Sequence, residues 1–147
     1  MADSVNIDST DACTTAAGAA GAPAGASVLD PGKLAELRSL DPNGQASLVP
    51  RVLATYQTSL ARLVDQLHAA RAAAHWDDVA RAAHTLKSSS GSIGALAFSS
   101  LCAEIERVTR AGDLLCAQRL LARFPAEHAR VVDAVAAALA AEGAPSR

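Results

Sequence analysis

Residues 82–95 read AAHTLKSSSGSIGA. On a helix, His84 stands three residues before Lys87 and four before Ser88, so the three share one face. A neutral imidazole nitrogen is a nucleophile at physiological pH, since an unperturbed pKa near ~6.5 leaves most of the ring unprotonated. To take a phosphoryl group, such a ring must meet its donor in line, which needs an uncrowded approach. The phosphoramidate so formed wants positive charge nearby, and a lysine one turn away supplies it. This chemistry asks for a helix that turns His84 outward and keeps its surroundings small.

The composition supports such a scaffold. The chain has 147 residues, half of them apolar, with one Trp, one Tyr and two Phe. Ala and Leu dominate the apolar set, which favours close-packed helices over strands, where Val, Ile, Thr and aromatics would alternate. The length is one domain's worth. A net charge of −2 leaves no electrostatic footprint for nucleic acid or an anionic membrane. Cys13, Cys102 and Cys116 form no CxxC pair, so neither a disulfide framework nor a zinc site is implied; reduced thiols are expected, Cys102 in the core. The amino terminus lacks the basic-then-apolar pattern of a secretory signal, and even VVDAVAAALA is too short to span a bilayer. The expected address is the cytoplasm.

Along the chain, residues 1–27 are small, polar and glycine-broken, and read as a disordered tail or linker. Asp30-Pro31 starts a short helix marked by Leu34, Leu37 and Leu40, and Asp41-Pro42-Asn43-Gly44 ends it. A second helix, about 47–74, carries Val49, Val52, Leu53, Tyr56, Leu60, Leu63, Val64 and Leu67 at three- and four-residue spacing. A third opens near Trp76 with Asp77 and Asp78 in its first turn and breaks at Gly94. A fourth presents Phe98, Leu101, Cys102, Ile105 and Val108 and stops at Ala111-Gly112. The last begins near Asp113 with Leu114, Leu115, Leu120 and Leu121, and Pro125 is expected to kink or split it before Val131, Val132, Val135 and Leu139. The expected fold is all-α: an antiparallel up-and-down four-helix bundle over 28–142, a short additional N-terminal helix capping one end, and a disordered C-terminus at 143–147.

At about 100° per residue, Val79, Ala82, Leu86 and Ile93 lie opposite His84 and face the core, while Asp77, Ala80, Arg81, Lys87, Ser88 and Gly91 fall within about 60° of it. His84 then points to solvent over a bare shelf of Ala80, Ser88 and Gly91. Exposed helical positions more often carry long polar side chains. Arg81 is either an auxiliary phosphate or partner contact or a solvated charge. Ser89 and Ser90 turn away as small packing positions. His75 falls at a helix start, and His68 and His128 at surface or boundary positions; no pair of them has metal-ligand spacing.

HTLKSSSGSIGA resembles the signature of histidine-containing phosphotransfer (HPt) domains: His, two residues, Lys, a small residue, then a Gly-Ala turn. Trp76, Ala83, the Leu101-Cys102 pair and the Ile105-Glu106 pair agree with it, and the likeness spans about 29–139. It implies that His84 is the phosphoryl acceptor and Lys87 the stabilising cation. Ser88 stands where the family most often has glycine; its hydroxyl is free to bond back to the helix or to the phosphoryl group.

The resemblance implies a phosphorelay carrier in two-component signal transduction, passing a phosphoryl group between His84 and the aspartate of a response-regulator receiver domain. The carrier has no cofactor of its own, and magnesium is expected on the partner receiver. No glycine-rich nucleotide loop is present, so the chain is read as a carrier and not an enzyme, with a sensor or hybrid histidine kinase upstream. A small apolar patch from the second and third helices would dock the receiver transiently. The expected state is a monomer without nucleic-acid or membrane partners. The alternative is a docking module that binds a receiver or another helical partner without carrying phosphate, and would tolerate His84→Gln.

Overall fold

The computed structural model of the protein describes residues 28–143. Five helices follow one another: α1 (Pro31–Ser39), α2 (Leu48–Ala72), α3 (Trp76–Ser92), α4 (Leu96–Arg110) and α5 (Leu114–Gly143). No strand occurs among the described residues. The expected tail at 1–27 and residues 144–147 lie outside them, while Gly143, expected beyond the bundle, closes α5.

Three reversals of direction, closed in the same way, stack α2 to α5 as an antiparallel four-helix bundle. After α2, His75 N–H donates to the Ala70 carbonyl at 2.8 Å and Ala74 N–H to Arg71 at 3.0 Å. After α3, Ala95 N–H reaches Ser90 at 2.9 Å and Gly94 N–H reaches Gly91 at 3.2 Å. After α4, Asp113 N–H reaches Val108 at 2.9 Å and Gly112 N–H reaches Thr109 at 3.1 Å. Each is a Schellman closure, which satisfies orphan carbonyls and needs one left-handed residue. Gly94 (φ +88°) and Gly112 (φ +80°) fill that role without strain, whereas the first closure uses Ala74 (φ +58°).

The expected stripes meet inside the bundle. Leu53, Leu67, Leu86 and Ile105 are fully buried, and Phe98 packs on Phe124 with ring centroids 5.2 Å apart. One polar pair lies within: Tyr56 hydroxyl and Ser90 Oγ are 2.7 Å apart between α2 and α3, and burial pushes the Tyr56 pKa up to about 12 despite the Ser90 bond. Ser90 is thus the packing position the sequence implied, and more: it satisfies a buried phenol.

Several expectations fail. Of the two outcomes expected at Pro125, a kink or a split, the split does not occur: α5 runs through it, with Phe124, Val131 and Val135 on either side buried, and their packing outweighs the roughly 3 kcal/mol that an interior proline costs. Leu40 and Leu115 are largely exposed, because each sits at a helix end beyond its neighbours' reach. Cys102 is the buried free thiol expected, but Cys116 is disulfide-bonded; an odd cysteine count forbids only complete pairing.

α1 caps the end where α3 turns into α4. Asp30 N–H donates to the Gly94 carbonyl at 2.8 Å, and Arg38 Nε reaches Glu142 of α5 at 3.1 Å. A Cβ on Gly94 would lie 2.9 Å from Asp30 N and 3.0 Å from Lys33 Cβ. Two opposite outcomes follow at equivalent turn positions. Ala74→Gly should raise stability by about 1 kcal/mol, by relieving a left-handed alanine. Gly94→Ala should lower it by about 2 kcal/mol or more, since strain and the Asp30 contact add. Urea midpoints at constant slope read both changes.

Candidate functional site

His84 lies in the middle of α3, its side chain about half exposed at 53 %. Its position rests on how closely α4 lies against α3. Ser99 Oγ of α4 donates to the Lys87 carbonyl of α3 at 2.8 Å, and a Cβ on Gly91 would meet that Oγ at 3.4 Å. Buried Ala80, Ala83 and Ala95 keep this seam thin. The approach brings Glu106 of α4 beside His84.

Glu106 accepts from three directions. His84 Nδ1 lies 3.0 Å from Oε2 and 3.2 Å from Oε1. Lys87 Nζ donates to Oε1 at 2.9 Å, and Arg110 Nε, one turn along α4, donates to Oε2 at 3.0 Å. The Glu106 side chain is only 13 % exposed. Burial alone would push its pKa up, but the bonds from Lys87, Arg110 and His84 together outweigh that and hold it at about 2.

This geometry selects a tautomer. An ionised carboxylate only accepts, so Nδ1 must carry the proton. In the neutral ring the lone pair is then on Nε2, the atom away from Glu106. A largely covered carboxylate behind an imidazole also stabilises positive charge on the ring. The arrangement holds an imidazole in one orientation and one protonation pattern, with a negative charge behind it.

The other predicted residues divide. Ser88 is exposed beside His84, Gly91 is half-buried at the α4 contact, and Lys87 is half-buried and held by Glu106. Ala80 is not open shelf: it is 1 % exposed, because the helical flank it shares with Lys87 and Gly91 is the one that meets α4. Arg81 stands on the opposite flank, 75 % exposed, with Nη1 2.9 Å from Asp78. That flank borders an open groove of about 680 Å³ between α2 and α3. Arg62, Gln66, Asp78 and Arg81 line it with Leu63 and a row of alanines, so it is mixed in character.

His75 is the N-cap residue of α3, as its position suggested. His128 is a half-buried boundary residue stacked on Phe124 (6.0 Å, 13°), and burial first, then neighbouring His68, pushes its pKa down. Among the described residues no cluster of His, Cys, Asp and Glu is arranged to hold a metal ion, and no helix is long and apolar enough to cross a membrane.

From sequence, Glu106 entered only as part of the family pattern, with no role beside His84, and Arg110 not at all. The signal was present, since His84 and Glu106 lie equally far on either side of Ala95, and an antiparallel pair joined there brings them level. The i,i+4 spacing of Glu106 and Arg110 added to it.

The lowered Glu106 pKa has a sign. Its contribution to stability is complete above the ordinary value of 4.5 and is lost as pH falls toward about 2. Urea midpoints followed from about pH 5 to about pH 2 should fall more steeply for the natural chain than for Glu106→Gln, which has no proton to take up there. Parallel curves would mean that the carboxylate is not held by its three donors.

The family model described as Hpt domain matches residues 51–141, from the first turn of α2 almost to the end of α5, and so includes His84, Lys87, Glu106 and Arg110. No curated protein and no solved structure matches the chain. The match covers well over half of the sequence and the helical bundle it requires is in place, so the chain belongs to the Hpt domain family, the phosphotransfer modules of two-component signalling.

Proposed function

We propose that this chain is a phosphorelay carrier that takes a phosphoryl group on His84 Nε2 from the aspartate of a response-regulator receiver domain and returns it. One observation carries the reading: the Glu106 carboxylate, ionised by its cationic neighbours, accepts from Nδ1 and leaves Nε2 as the free lone pair. Hpt domains work with response regulators and histidine kinases, carrying phosphoryl groups without turnover of their own. In the forward step the Nε2 lone pair attacks phosphorus, the P–O bond of the acyl phosphate breaks, and the aspartate leaves as carboxylate. The ring becomes a cation with its Nδ1 proton facing Glu106, and the return step reverses each change. Magnesium belongs to the receiver in this scheme. Lys87 is placed to lean from Glu106 toward the phosphoryl oxygens, and Arg81 supplies charge on the other flank. A cytoplasmic address and a monomeric state accord with this role.

Intact-mass measurement after incubation with phosphorylated receiver domains tests the reading. The natural chain should gain one acid-labile phosphoryl group and His84→Gln none. Glu106→Gln should still be labelled, at a rate lower by about tenfold to a hundredfold, because the ring loses its fixed tautomer and its countercharge. Binding of a receiver by both the natural chain and His84→Gln, with no label on either, would give the docking-module reading the field.

A further inference from the structure

α3 is rich in hydroxyl side chains, and all but one of those near His84 are occupied. Thr85 Oγ1 donates to the Arg81 carbonyl at 3.2 Å, Ser89 Oγ to Thr85 at 3.0 Å, and Ser92 Oγ to Ser88 at 3.0 Å. Ser90 pairs with Tyr56. Ser88 is exposed, and among the described residues its side chain makes no hydrogen bond. The back-bond open to it would go to the carbonyl of His84 itself, four residues earlier, which is the bond that Thr85, Ser89 and Ser92 all make to theirs.

Ser88 lies about 40° around the helix from His84 and about 6 Å along its axis. It stands on the flank away from Lys87, and its Cα–Cβ bond tilts toward the N-terminus, that is, toward His84. Glu106 draws Nδ1 to the α4 side, so Nε2 faces away from the charge cluster that already holds Lys87. We infer that the Ser88 hydroxyl donates a hydrogen bond to the phosphoryl group on His84 Nε2 and lengthens its lifetime.

This rests on the carrier reading and goes beyond it. Phosphoryl loss passes through a loose transition state in which the leaving PO₃ unit carries less negative charge than the bound dianion. A donor aimed at the bound oxygens therefore holds the ground state more strongly than the transition state, and loss slows. Glycine at this position would leave the helix backbone bare and supply no such donor.

The test uses phosphoramidate as donor: its P–N bond breaks, ammonia leaves with a proton, and the Nε2–P bond forms. After removal of the reagent, water takes the phosphoryl group as inorganic phosphate and the ring nitrogen is restored. Intact mass follows the first-order loss, with His84→Gln subtracting label on the other histidines. Ser88→Ala should lose the His84-dependent group about three- to tenfold faster, the scale of one exposed hydrogen bond to a charged acceptor. Ser88→Thr should stay within about twofold of the natural chain, because it restores the hydroxyl. The phosphorus resonance of the Ala variant should be displaced from a position shared by the Ser and Thr forms. Equal loss rates and a common resonance in all three would overturn this inference and leave the carrier reading intact. Absence of any His84-dependent label on the natural chain would overturn both.

Discussion

The close approach of α3 and α4 sets everything else at the site. Two helices that share a hydroxyl-to-carbonyl bond at Ser99 and Lys87, with Gly91 set close against Ser99 and small buried alanines nearby, have little room to slide. Shape, and not the strength of any one contact, fixes their register. Once the register is fixed, a glutamate one turn from the end of α4 has one place to go. It meets an imidazole, a lysine and an arginine there, and the charge of the cluster follows from geometry already determined by small residues.

That dependence explains which parts of the molecule were legible in sequence. Periodic apolar residues identified the four long helices and nearly all of their buried faces, since burial of a stripe requires no knowledge of the partner. Gly94 and Gly112 were readable as stops because glycine carries its own conformational signature. Ala74 does the same job and was invisible, for alanine is the residue a helix prefers. His84 was legible from its own neighbours on α3. Glu106 was not, because its role exists only across a gap between two helices, and a helical wheel drawn for α3 alone has no place for it. The same blindness put Ala80 on open surface: a wheel gives an angle and not what stands at that angle.

The cluster also has an internal economy of charge. One carboxylate serves an imidazole and two cations, so its ionisation is secured by the same groups that any arriving anion would attract. Lys87 belongs at rest to Glu106, and any anion arriving on the imidazole competes with that carboxylate for it. Screening by salt is reduced here because the carboxylate is nearly covered, although Arg110 and His84 remain half in water. The seam between α3 and α4 thus couples the charge at His84 to Lys87 and Arg110 through one carboxylate.

The attachment of α1 has a spatial consequence. Its N-cap residue, Asp30, is tied by backbone to Gly94, ten positions along the chain from His84, or about 15 Å down the axis of α3. Asp30 is therefore held at the foot of the bundle, with the His84 imidazole partway up its wall. The end that α1 covers and the wall that carries His84 are thus separate surfaces of the same small bundle.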